Sequence, residues 1–228
     1  MFAVAGGADH ILATQGLTYA EYARSGYFQL LWVAGLTIAG LLAACAVVEH
    51  RTPADRRRFV VLAEVVVGLT IVVLGAAVRR LSLYDDAYGL TMLRLYCLVF
   101  AGWLVVVLAL VGARAAGFGG HRSWFPGAAS ATALVVLLML NVLNPEAIVA
   151  RHNLTTHAAV AVDPVYLADL SDDAVPTMLE LLPTLDPSTA SAVARAAGCG
   201  RVRTDGGGWL DANLARDRAD DARASRCP

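Results

Sequence analysis

The chain has no lysine; all 18 of its basic residues are arginine. Charge of either sign is scarce, at 16% of 228 residues with a formal net of −1. No basic block is interleaved with aromatics, which argues against nucleic acid as a partner. No glycine-rich loop ends in lysine and Ser/Thr; Gly206-Gly207-Gly208 lacks both and reads as a flexible turn. There is no Ser/His/Asp set and no cluster of metal-ligating residues. His152 and His157 are five apart, share no helical face and have no acid or cysteine close by. The sequence therefore nominates no catalytic residue, no cofactor and no metal ligand. Residues 1–26 also lack a basic start followed by a short apolar run, so no cleavable signal is read there.

What the chain does have is apolar length. It is 57% hydrophobic, against roughly 45–50% in soluble domains. Four windows are long enough to cross a bilayer: Tyr27–Val48, Phe59–Val78, Leu95–Ala113 and Pro126–Leu143. They do not alternate, and they exceed the length of a barrel strand, so they are predicted helices despite their many valines. The predicted fold class is all-α: a four-span transmembrane helical bundle with a small helical extramembrane C-terminal region. Residues 1–26 form an N-terminal segment with an interfacial helix and 27–143 the membrane domain. Residues 144–198 form a helical tail and 199–228 a flexible end.

Arginine counts orient the spans. Arg51, Arg56, Arg57, Arg58, Arg114 and Arg122 lie in the first and third loops, against Arg79 and Arg80 in the second. Six against two puts the first and third loops in the cytoplasm and both termini outside a bacterial inner membrane.

That orientation gathers polar groups at the outer boundary. Tyr19, Glu21, Tyr22 and Arg24 precede the first span. Tyr84, Asp85, Asp86, Tyr88 and Arg94 surround the second loop. With Tyr27 and Tyr96, these tyrosines are six of the chain's seven, and they read either as an aromatic belt at the headgroup level or as part of a recognition surface shared with these charges. Thr18 and Glu21 make a capping box, so a short helix is predicted from Tyr19, loosened from the first span by Gly26. Gly89 ends one helix and Thr91 caps the next. Arg94 then falls in a first helical turn, where the helix dipole disfavours a cation. Asp85, Asp86 and Glu21 are the carboxylates that could offset it.

Within the spans, Glu64 is an intramembrane acid. It reads either as a functional group or as a shallow side chain reaching back to Arg57, Arg58 or water. Gly35, Gly40, Gly68, Gly75 and Gly102 are candidates for close helix contact. Beyond the spans, Asn144-Pro145-Glu146 is a helix start. Asp163-Pro164, Ser171-Asp172-Asp173 and Asp186-Pro187 mark further starts, each followed by apolar residues at helical spacing. Gly198 closes the last. Cys199 and Cys227 either remain free thiols or form a disulfide in an oxidising compartment. Asn153-Leu154-Thr155 has the form of a glycosylation acceptor, discounted for a bacterial chain.

Four blocks carry a family likeness: GLTYAEYARSGYFQL, LYDDAYGLTMLRLY, LNPEAIVARHNL and VYLADLSDDAVPTML. In this order they resemble the bacterial membrane proteins grouped as domain of unknown function 4153 and its relative 4173, over most of residues 10–182. GWLDANLARDRA is similar to the end of actinobacterial members. The resemblance implies a multi-span protein with further helices ahead of the TYAEYAR block, of which this chain would be a short or truncated version. It supplies no catalytic motif.

Three functions follow as expectations. The first is a non-enzymatic envelope anchor or accessory subunit that meets membrane lipid and another membrane or envelope protein through residues 144–198. The second is a transporter or channel component, working as an oligomer or with a missing N-terminal half, with Glu64 on its path. The third is an enzyme on a lipid-linked substrate, with Asp85 or Asp86 at the interface as base or metal ligand.

Overall fold

The computed structural model describes residues 19–48, 52–118, 124–156, 163–200 and 213–227. All regular structure among them is helical. Helix α1 spans Tyr19–Val47, α2 Pro53–Tyr88, α3 Met92–Ala116 and α4 Trp124–Val142. Four stretches along them are long and apolar enough to cross a membrane: Tyr27–Val47, Pro53–Leu83, Met92–Ala116 and Trp124–Leu143. The chain is a multi-pass membrane protein. It divides into two compact units. One takes the described residues up to Tyr88 together with Tyr96–Leu138; the other takes Gly89–Leu95 and the described residues from Met139 onward.

Two features of the spans differ from expectation. First, α1 runs unbroken from Tyr19 through Gly26, so the predicted separate interfacial helix is continuous with the first span. A single helical glycine costs only about 1 kcal/mol, too little to end a helix with good formers on both sides. Second, α2 has 36 residues, or about 54 Å at 1.5 Å per residue. It carries Arg79, Arg80, Asp85 and Asp86 within the helix instead of in a loop. Nothing breaks it before Gly89, whose φ of 76° is left-handed and stops it.

The first unit packs through small clusters of valine and leucine, with alanine where the helices approach. Ala34 of α1, Val67 and Leu74 of α2, and Leu104 and Leu108 of α3 form one buried cluster. Val107, Val111 and Phe125 form another. Ala63, Val67, Thr70, Leu74 and Ala77 make the buried stripe of α2 at helical spacing. Buried Thr70 returns its hydroxyl to the Val66 carbonyl at 2.7 Å. Among the described residues, a side chain added at Gly35, Gly40, Gly68, Gly75 or Gly102 would meet nothing within 4 Å, so these glycines do not make the predicted close contacts there. A small residue on a lipid-facing surface leaves the same sequence signal as one in an interface. Tyr27 also departs from a belt role. It is 2% exposed and donates its hydroxyl to the Cys97 carbonyl at 2.7 Å.

The second unit folds where the starts were predicted. Helix α5 is Pro145–Thr156, α6 Pro164–Ala168, α7 Val175–Leu181, α8 Pro187–Ala196 and α9 Leu214–Arg226. Short 3-10 turns occupy Asp172–Ala174 and Leu182–Thr184. Asn144 takes a left-handed φ of 50°, tolerated by asparagine. From there its Oδ1 accepts from the Ala147 amide at 3.1 Å and caps α5. Asp163, Ser171 and Asp186 accept from amides of the turns that follow them. At the end of α8 the Cys199 amide donates to Ala194 and Gly198 to Arg195, a Schellman closure with Gly198 at φ 83°.

The core of this unit joins Leu154 of α5, Leu167 of α6, Val175, Met178 and Leu179 of α7, Val193 of α8 and Ala219 of α9. The last is a correction: residues 213–227 are not a flexible end but a capped helix. Asn213 accepts from the Ala215 and Arg216 amides, and Ala219 is fully buried. Its polar composition hid an alanine face that needs a neighbour to cover it.

Candidate functional site

Gly89-Leu90-Thr91, running into Met92 at the start of α3, form a strap that follows α2. Where one helix stops and another starts, terminal amides and carbonyls lose their intrahelical partners. Here side chains of the second unit satisfy them. Asn153 of α5 accepts from the Leu90 amide at 2.7 Å and donates to the Leu90 carbonyl at 2.8 Å. The Met92 amide donates to the Tyr166 hydroxyl oxygen at 2.8 Å. Thr91 Oγ1 accepts from the Arg94 amide at 3.4 Å, the predicted cap. Arg94 donates through Nη1 to the Gly89 carbonyl. A carbonyl at the end of α2 thus receives the guanidinium that the start of α3 disfavours.

Gly89 is required twice over. Its φ is left-handed, and an added Cβ would lie 3.1 Å from Asn153 Oδ1. Burial raises the Tyr166 phenol above its ordinary range, and nearby Glu146 adds to this; the Met92 amide and Arg94 act in the opposite sense. The hydroxyl therefore stays protonated through neutral pH. Asn144 Nδ2 donates to the Asp173 carbonyl at 2.9 Å, and the Ser171 amide donates to Glu146 Oε2 at 2.5 Å. Together these contacts make a clasp of neutral amides, a phenol, a hydroxyl, one guanidinium and one carboxylate on backbone. Such a set positions chain segments.

The nominated residues fall as follows. Arg94 belongs to the clasp. Asp85 lies in α2 and is 8% exposed. The side chains of Tyr19, Glu21, Tyr22, Arg24, Tyr84, Asp86 and Tyr88 lie outside the described residues. Glu64 packs its carboxylate over Gly112 of α3, where an added Cβ would stand 3.1 Å from Oε1. Cys199 and Cys227 are joined by a disulfide with Cα atoms 5.5 Å apart. His152 is in α5, while His157 lies outside the described residues.

Sequence reasoning passed over Asn153, Tyr166, Gly112 and Arg223. Asn153 was read within a glycosylation pattern, and both ends of its amide are in fact engaged by Leu90. The signal that could have found it is the strap itself, whose backbone groups needed partners. Arg223 of α9 donates to the Ala197 carbonyl at 2.8 Å, to Asp220 at 2.9 Å and to Asp172 at 2.8 Å. It links α9 to the end of α8 and to the turn before α7, beside the disulfide. Its i,i+3 spacing to Asp220 is the local part of this set; the partners Ala197 and Asp172 leave no mark in the nearby sequence.

By its fold the protein is a multi-pass membrane protein carrying a disulfide-closed helical unit. The family model described as Domain of unknown function (DUF4153) matches residues 2–181, and the chain belongs to that family. No curated protein and no solved structure matches it.

Proposed function

We propose that the protein is a non-enzymatic anchor or accessory subunit of the cell envelope, and that residues 144–198 bind a partner protein. The observation that carries this reading is the construction of the second unit. A core, a disulfide and the Arg223 cross-link hold a small helical body together. That body still presents the large apolar side chains of Ile148 and Val165, the latter 71% exposed. A rigid scaffold with exposed apolar groups suits recognition, because ordering costs are met before binding. The disulfide favours an oxidising compartment for this unit. It agrees in direction with the arginine counts, which favour both termini outside an inner membrane.

Two measurements test the proposal. Glu180→Cys puts a thiol at an exposed position of α7. A membrane-impermeant maleimide added to intact cells should label it; labelling only after lysis would reverse the topology. In the second, the full chain is cross-linked in cells and purified. A defined envelope protein should be captured with the wild type and fall at least about tenfold with Val165→Asp, as expected for losing a buried contact. Equal capture by both would remove the interaction reading.

A further inference from the structure

We propose that the start of α2 and the end of α3 form a binding site for an anionic phospholipid, with the phosphodiester on Arg56 and Arg57 and the first acyl carbons along Val60 and Val61. A cleft of ≈ 320 Å³ is lined there by Pro53, Arg56, Arg57, Val60, Val61 and Ala116. Its lining changes character along the helix: Arg56, Arg57 and Arg58 are followed directly by the apolar run Phe59-Val60-Val61. One end suits an anion and the other a hydrocarbon chain. That pairing fits an amphiphile better than a free anion, and basic pockets beside spans are known to take lipid headgroups.

Arg56 is held in place. Its Nη2 donates to the Ala116 carbonyl at 3.0 Å. The Gly117 amide donates to Arg114 and the Phe118 amide to Ala113, closing α3 through Gly117 at φ 89°. A Cβ on Gly117 would collide with the Arg56 guanidinium. The glycine therefore serves the helix end and the arginine together. With Nη2 fixed, Nε and Nη1 of Arg56 remain to meet phosphate oxygens, in the planar fork that suits them. Arg57 is exposed. Asp55, the acid of this turn, accepts from the Thr52 hydroxyl at 2.7 Å and lies 4.0 Å from Arg58. The net charge on residues 55–58 is positive by two.

The test uses the purified full-length chain in detergent micelles titrated with phosphatidylglycerol or phosphatidylcholine, and bound lipid is counted by native mass spectrometry. Phosphatidylglycerol should bind in preference to phosphatidylcholine. Arg57→Gln should weaken it about fivefold and the Arg56→Gln/Arg57→Gln pair roughly twenty-five-fold, while Arg57→Lys stays near wild type. Arg57→Gln changes an exposed side chain, and an unchanged thermal unfolding curve for that variant separates lost binding from lost folding. Gly117→Ala, which removes no charge, should also weaken binding several-fold by displacing Arg56. Equal retention of both lipids would overturn the proposal, as would an unchanged affinity in Arg57→Gln. So would displacement of the lipid by millimolar inorganic phosphate, because the site would then be one for a free anion.

Discussion

Helices α4 and α7 are both rich in large apolar residues, and the protein uses them in opposite ways. On α4, Leu134, Leu137, Leu138 and Met139 are between 57% and 66% exposed. On α7, Val175, Met178, Leu179 and Leu181 are between 1% and 9% exposed. A side chain in hydrocarbon gains nothing from burial that lipid does not already offer, so packing there rests on close contact and hydrogen bonds. A side chain in water must find a core. The same residue type therefore reports length in the first case and a packing face in the second.

The largest effect should come from opening the core of the second unit. Leu154→Ala or Met178→Ala should cost roughly 2–5 kcal/mol in chemical denaturation of that unit. Leu138→Ala on α4 should stay within about 0.5 kcal/mol. Similar costs at both places would erase the contrast. Next, the Cys199→Ser/Cys227→Ser pair should lose about 3.5 kcal/mol, the chain-entropy value for a loop of 28 residues. Limited proteolysis should then cut residues 200–226 first, while far-ultraviolet dichroism of the spans holds. Concerted loss of both signals would show that the two units do not respond separately.

The strap offers a smaller, sharper probe. Asn153→Ala leaves the amide and carbonyl of Leu90 without their partner, at a cost of about 1–3 kcal/mol. Hydrogen exchange should speed up at Leu90 and leave the Leu104 amide untouched. Protection unchanged at Leu90 would mean that the clasp contributes nothing.

The smallest effect concerns pH. Hydrogen bonds from the Thr189 side chain and amide, with Ser188, hold the Asp186 carboxyl below its usual range. A lowered folded value means the cap stabilises α8 fully above the unfolded carboxylate value, near about pH 4, and less as pH falls through the folded value. The advantage of wild type over Asp186→Asn should shrink across that acid interval in unfolding curves. An advantage that grows on acidification would reverse the sign.

Much of this architecture could be read before folding was considered. Asn144, Asp163, Ser171 and Asp186 each announce a helix through a local rule: a short side-chain acceptor beside amides that have no other partner. Gly89 and Gly198 announce ends for an equally local reason, their access to left-handed backbone. The glycines in the spans misled, because the value of a small side chain depends on what stands opposite it. Gly112 faces Glu64, whereas Gly68 faces nothing within 4 Å. Helix α9 was missed because its Arg- and Asp-rich surface conceals the alanine it buries.

The sequence by itself determined that the chain crosses a membrane, where the spans run and where the short helices begin. Those properties depend on run length and on neighbours a few residues away. Tertiary structure decided that Asn153 and Tyr166 hold the strap, that Arg223 bridges α9 to Asp172, and that Arg56 is braced beside Gly117. These contacts join residues 51 to 74 positions apart. At such separations no local pattern constrains which donor meets which acceptor; only the packed chain does.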